Sequence, residues 1–262
     1  MTTGALDFLP LWGFFALAVA SALLSLELGF RTARWRHQHA DAEKDAPIGT
    51  LVGAILGLLA FMLAFTFNMA ASRFDARRMT VLEEANSIGT TYLRTRLLPD
   101  PERSASANLL RQYVDARLQA IGDTARFDDA LKRSESIQHE LWAQATAAAA
   151  KAPDSVMIGI YIQSLNETID VHSKRLLIGA RSRIPASIWI GLFALALIGM
   201  TSMGYQAGLA ATRRSPAVLF LAVAFAGVLL LIADLDRAHE GMLQVGQQSM
   251  LDLQRSMQSP KL

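Results

Sequence analysis

The sequence predicts an all-α polytopic membrane protein: four transmembrane helices, with a helical-bundle insert between the second and the third. Three observations carry this expectation. Hydrophobic residues make up 52% of the 262 and charged ones only 18%, a balance tilted away from soluble domains. Four stretches, 8–30, 48–72, 184–207 and 215–233, are apolar and nearly free of charge. Each is close to or above the roughly 20 residues a helix needs to cross a bilayer core. Between the second and third stretches the chain is rich in Ala, Leu, Glu, Gln and Arg, which are strong helix formers, and shows no alternating strand pattern.

The expected domains are a first transmembrane pair over 1–72, a soluble helical insert over 73–183, a second pair over 184–233 and a C-terminal tail over 234–262. The first apolar run is too long for a signal peptide, and its basic residues follow it rather than precede it. The second runs on without proline from Ile48 to Arg96, so one helix of roughly 70 Å is expected, part in lipid and part forming a stalk outside. "LLPDPER" ends it, with Asp100 as N-cap and Pro101 at the first helical position. A helix over about 102–121 follows, stopped by Gly122. Another runs over about 127–151 and is broken by "APDS". Asp154 or Ser155 caps a last one reaching toward Arg183. Leu109, Leu110, Tyr113, Leu118 and Ile121 recur at helical spacing, which makes the insert helices amphipathic.

Composition excludes several function classes. Without cysteine there are no disulfides, thiolate metal sites or cysteine nucleophiles. The net charge of +2 supports no bulk attraction to nucleic acid. No nucleophile elbow, P-loop or HExxH motif occurs, and Glu83 and Glu84, being adjacent, point to different helix faces, so no enzyme is expected. His37 and His39 are too few to hold a metal. Asp234, Asp236 and Glu240 lack an EF-hand pattern and read as a solvated helix end rather than a cation site. No cofactor and no metal site are expected.

The second span carries the motifs of interest. Gly49, Gly53 and Gly57, spaced by four, let helix backbones approach closely in lipid, with a partner either in the same chain or in a neighbouring subunit. Phe61, Phe65 and Met69 share the next face. In a single chain they would meet lipid or core. In an oligomer they would stack as rings and form a hydrophobic constriction. Asn68 either bonds across to another helix or stands on a pore wall. Glu27 lies one turn before Arg31, which suits an interfacial ion pair.

Sidedness is ambiguous. The short connections carry Arg31, Arg34, Arg36, Lys44, Arg213 and Arg214, which by the positive-inside rule makes them cytoplasmic. The insert's membrane-proximal ends carry Arg73, Arg77, Arg78, Lys174, Arg175, Arg181 and Arg183, which reverses the balance.

From Phe65 the order Phe, x, x, Asn, x, Ala, x, x, Arg, aromatic, with a further Arg at 78, resembles the second helix of bacterial bestrophins at Phe65, Asn68, Ala70, Arg73, Phe74 and Arg78. "EEANSIGTTYLRTRLLP" and the late "DLDR…G" are similar to the bestrophin-like domain family of bacterial membrane proteins. The resemblance implies a pentameric ion channel of the inner membrane with a cytosolic helical domain and a pore neck at Gly57, Phe61 and Phe65. Gly57 departs from the apolar residue usual at such a neck, and no acidic calcium-binding run is present.

Two functions are therefore expected. In the first, a homo-oligomer in the lipid bilayer conducts small inorganic ions along Gly57, Phe61, Phe65, Asn68 and Arg73, with an Arg73 ring favouring anions. In the alternative, the chain is a non-conducting sensor or scaffold with a helical periplasmic domain.

Overall fold

The computed structural model describes residues 9–39, 48–119, 124–181, 183–210, 217–237 and 241–259. The expected features at Phe8, Lys44, Ile121, Gly122, Arg213, Arg214, Ser215 and Glu240 lie outside the described residues, as do the side chains of His37, His39 and Arg181. In order, the helices are α1 (Leu11–His39), α2 (Ile48–Arg94), α3 (Glu102–Gln119), α4 (Thr124–Lys151), α5 (Val156–Arg181), α6 (Ala186–Leu209), α7 (Ala217–Asp236) and α8 (Gln248–Gln258). A 3-10 turn, Thr95–Leu97, follows α2, and no strand occurs among the described residues. Four helices are long and apolar enough to cross a membrane, over Leu11–Arg36, Ile48–Leu97, Ala186–Leu209 and Val218–Asp236. The long second helix expected from the missing prolines is present and unbroken through Gly89.

The chain divides into two compact units. One comprises Met1–Phe74 and Arg183–Leu243, the other Asp75–Ser182 and Gln244–Leu262.

In the first unit α1 and α6 lie in backbone contact. A Cβ at Gly29 would stand 1.9 Å from the carbonyl oxygen of Thr201, and one at Gly204 would stand 2.0 Å from that of Leu26. Only glycine permits so close an approach, which lets dispersion act where no hydrophobic effect operates between lipid-bathed helices. Below this contact, Phe14 meets Trp189 and Phe193 edge to face, with centroids 6.0 Å apart. The inner face of α2 joins the same core through Leu59 and Ala70, beside Ala18, Leu192 and Leu229. Thr66, also buried, returns its hydroxyl to the Met62 carbonyl at 2.7 Å and so leaves no polar group open. The Glu27–Arg31 pair forms as expected, at 2.7 Å.

The second unit packs around Ile88, Leu110, Tyr113, Leu141, Tyr161 and Leu165, with Met250 and Met257 of α8 closing the core. Small residues let α4 in: Ala145 and Ala148 are fully buried. Ser155 begins α5, accepting from the Ile158 N–H at 3.4 Å, as expected for one of the two candidate caps. Thr91 ties α2 to α5 through the Ser164 carbonyl and the Thr168 hydroxyl, both at 2.9 Å.

A candidate pore-lining face and its anchors

At 100° per residue, Gly53, Gly57, Phe61, Phe65 and Asn68 fall on one arc of α2 about 120° wide. All five are exposed, with Phe61 at 65% and Phe65 at 51%. A side chain added at Gly53 or Gly57 would meet nothing within 4 Å. Gly49 differs, because a Cβ there would lie 3.1 Å from Nε2 of Gln206. The glycine stripe thus finds its intrachain neighbour only at its first member. The close backbone approach is made instead by Gly29 and Gly204, with Gly208 above them.

Asn68 forms no hydrogen bond to another helix among the described residues. The cross-helix role considered for it is therefore not met within the chain, because position 68 turns outward with the phenylalanines rather than inward with Leu59 and Ala70. Met69 is set apart from Phe65 by partial burial against the core.

Arg73 does not share the arc. Five residues beyond Asn68, it has turned about 140° away, and its Nη1 stands 4.0 Å from Oδ1 of Asp236. That carboxylate gathers more partners. The Ile184 N–H donates to it at 2.9 Å, and Arg183 lies 4.0 Å from its second oxygen while donating to the Asp236 carbonyl at 2.7 Å. Asp236 thereby pins the start of α6, the end of α7 and the inner side of α2.

Asp234 and Asp236 are not a solvated helix end, as the sequence suggested, but buried. Asp234, 1% exposed, accepts from the Met242 N–H at 2.8 Å and the Leu243 N–H at 3.1 Å, folding the chain back over the end of α7. The return requires Gly241. Its φ is +151°, and a Cβ there would stand 2.2 Å from Asp234 Oδ1. The "DLDR…G" pattern is thus a latch in which the carboxylates bind backbone and guanidinium groups. Arg237 completes it by donating to the Leu9 carbonyl.

A second buried carboxylate lies in the helical unit. Glu84 is fully buried, with Arg117 Nε at 3.0 Å, Arg175 in direct contact, His172 Nδ1 at 3.9 Å and the Tyr113 hydroxyl donating at 3.4 Å. Burial alone would raise its pKa. The His172 side chain and the charges of Arg117 and Arg175 outweigh that and hold it at about 2. Glu83, its neighbour, points outward to Lys174 at 2.6 Å, as adjacency on a helix predicts. Arg175 also reaches Gln247 at 3.1 Å, coupling the cluster to the segment before α8. Sequence reasoning missed Glu84 although a signal existed. Arg77, Thr80, Glu84, Ile88, Thr91 and Thr95 recur at steps of three or four, and all are buried. Their polarity hid the periodicity.

The Bestrophin-like domain matches residues 17–250. The crystal structure of a membrane protein carrying a proline-to-alanine substitution superposes with a TM-score of 0.67 at 15% identity, covering 94% of this chain and 97% of that one. A bacterial bestrophin homologue from Klebsiella pneumoniae with a leucine-to-threonine substitution gives 0.65 at 14%, covering 94% and 97%. The same homologue with a tyrosine-to-alanine substitution gives 0.64 at 15%, covering 93% and 96%. At these identities the likeness is one of fold. No curated protein matches.

Proposed function

The chain belongs to the bestrophin-like family and is a multi-pass membrane protein, and on that premise we propose that several copies of it form an ion channel of the bacterial inner membrane. In this proposal α1, α2, α6 and α7 span the bilayer, residues 73–183 form a helical insert on one side, and five copies assemble, the number implied by the resemblance to bestrophins.

The observation that carries the proposal is Asn68. Its amide is exposed, has no partner on another helix among the described residues, and lies on the same arc as Phe61 and Phe65. A primary amide facing hydrocarbon without hydrogen bonds costs several kcal/mol. That arc is therefore better suited to water or to polar groups of another subunit than to lipid tails. Arranged around an axis, Phe61 and Phe65 make two apolar rings that gate by dewetting. Gly57 leaves the bore wider before them, and Asn68 offers an amide ring that can replace part of an ion's hydration. Small inorganic ions are the transported species, and no cofactor enters. On this reading Arg73, whose Nη1 stands 4.0 Å from Oδ1 of Asp236, lies outside the bore and contributes no ring to the selectivity.

The test is the mass of the assembly in mild detergent together with ion flux in liposomes. The proposal expects an oligomer, and a several-fold rise in flux when Phe61→Ala and Phe65→Ala are combined. A stable monomer, or flux indifferent to both substitutions, removes the pore.

A further inference from the structure

A cleft of about 450 Å³ opens within the helical unit, between the end of α2, the start of α3 and the last turns of α8. Arg96, Arg103 and Arg111 line it, together with the hydroxyls of Ser104 and Ser256. Arg111 is held rigidly by neutral groups only. Its Nη1 donates to Asn108 at 3.1 Å, its Nη2 to the Tyr92 hydroxyl at 2.6 Å and its Nε to the Met257 carbonyl at 3.2 Å. The guanidinium also lies 5.4 Å over the Tyr92 ring. Arg103 donates to the Leu98 carbonyl at 3.0 Å and has one distant carboxylate, Asp100 at 3.6 Å, in a pair that is about half exposed on both sides. Arg96 is exposed and pairs with no carboxylate among the described residues. Three guanidinium groups thus share one cleft with a single carboxylate.

Fixed guanidinium forks without counter-charges are a recognition device for oxyanions, phosphate above all, because two parallel N–H donors match two phosphate oxygens. Ser104 donates its hydroxyl to Asp100 at 3.0 Å and Ser256 to the Leu253 carbonyl at 2.7 Å, so each presents oxygen lone pairs that can accept from a polar ligand. The volume exceeds what a bare ion needs and lies in the range of small-molecule sites.

We propose that this cleft binds a small phosphate-bearing metabolite, its phosphate held by Arg96, Arg103 and Arg111. Because Ser256 and the Met257 carbonyl belong to α8, an occupied cleft fastens α8 to the end of α2 and to α3.

The probe is pyrophosphate, titrated calorimetrically into the full-length protein in neutral detergent without anionic lipid. Saturable binding is expected, weakened about tenfold or more by Arg96→Gln, which removes one charge-assisted contact and no hydrogen bond or ion pair among the described residues. Arg111→Lys, which keeps the charge but loses the fork, should weaken it too while leaving the protein folded. A second arm compares thermal unfolding in phosphatidylcholine liposomes with and without phosphatidate. Stabilisation that needs phosphatidate and is lost in Arg96→Gln, without pyrophosphate binding in detergent, overturns the metabolite and puts a lipid headgroup in its place. No binding of either probe, or binding that Arg96→Gln leaves unchanged, overturns the proposal.

Discussion

The two halves of α2 invert the usual arrangement of a helix. In the apolar half, Leu51, Leu58, Phe61, Phe65 and Phe67 are exposed, and only one side, along Val52, Leu59, Thr66 and Ala70, is buried. In the polar half the buried positions are Arg77, Thr80, Glu84, Ser87 and Thr91, with Val81, Ala85 and Ile88 between them. One continuous helix therefore turns phenylalanines out and a glutamate in. Burial follows the company each half keeps, not its polarity. The polar half is enclosed by α3, α5 and α8, whose arginines, threonines and backbone satisfy it. The apolar half presents a wide arc that none of the described residues covers.

This contrast can be broken or sharpened by measurement. The largest effect is expected at Glu84. Glu84→Ala strands Arg117 and Arg175 in the core and should cost about 3–5 kcal/mol in unfolding of the purified chain. A loss under about 1 kcal/mol would show that the cluster is not closed to water. Next is the acid response. The Glu84 carboxyl, at about 2 when folded, lies below its ordinary value of 4.5, so its contribution is fully present above pH 4.5 and is lost as pH falls toward 2. The shift corresponds to about 3 kcal/mol. In Glu84→Gln the stability-versus-pH curve should lose this component.

Gly204→Leu should cost about 3 kcal/mol or more, because its side chain would be driven into the α1 backbone at Leu26. The same change at Gly57 should leave the fold within about 0.5 kcal/mol and act on the size of the assembly or on flux. Equal destabilisation by the two would erase the distinction between a filled and an unfilled glycine face. Asp234→Ala removes the acceptor of two backbone N–H groups and should cost about 1–3 kcal/mol, read as earlier thermal unfolding. Smallest is Phe61→Ala alone, within about 0.5 kcal/mol in stability, its effect confined to transport.

Much of the architecture could be read along the chain. The apolar runs are long enough to declare themselves, the prolines and "APDS" divide the polar helices, and Glu27–Arg31 and Ser155 act through neighbours three or four residues away. The site was less legible. Gly49, Gly53 and Gly57 carry the same spacing signature as a packed face, yet the packed glycines are Gly29, Gly204 and Gly208, of which only the last two share a four-residue step. A stripe of small residues states that an approach is possible and not which helix makes it. Asp234 and Asp236 looked solvated because their partners, Met242, Leu243, Ile184, Arg183 and Arg73, come from three segments that no local pattern joins.

By itself the sequence determined what depends on local chain properties: the four apolar spans, the long second helix, and which arc carries Phe61, Phe65 and Asn68, since periodicity and hydropathy are properties of the chain alone, whereas α8, inside the expected tail, was not read. Only the tertiary structure decided which groups are buried together. Glu84 meets Arg117 and Arg175, Arg73 turns to Asp236, and Gly204 rather than Gly57 meets a backbone. These are pairings between distant segments, whose free energy depends on geometry that no spacing rule along one helix contains.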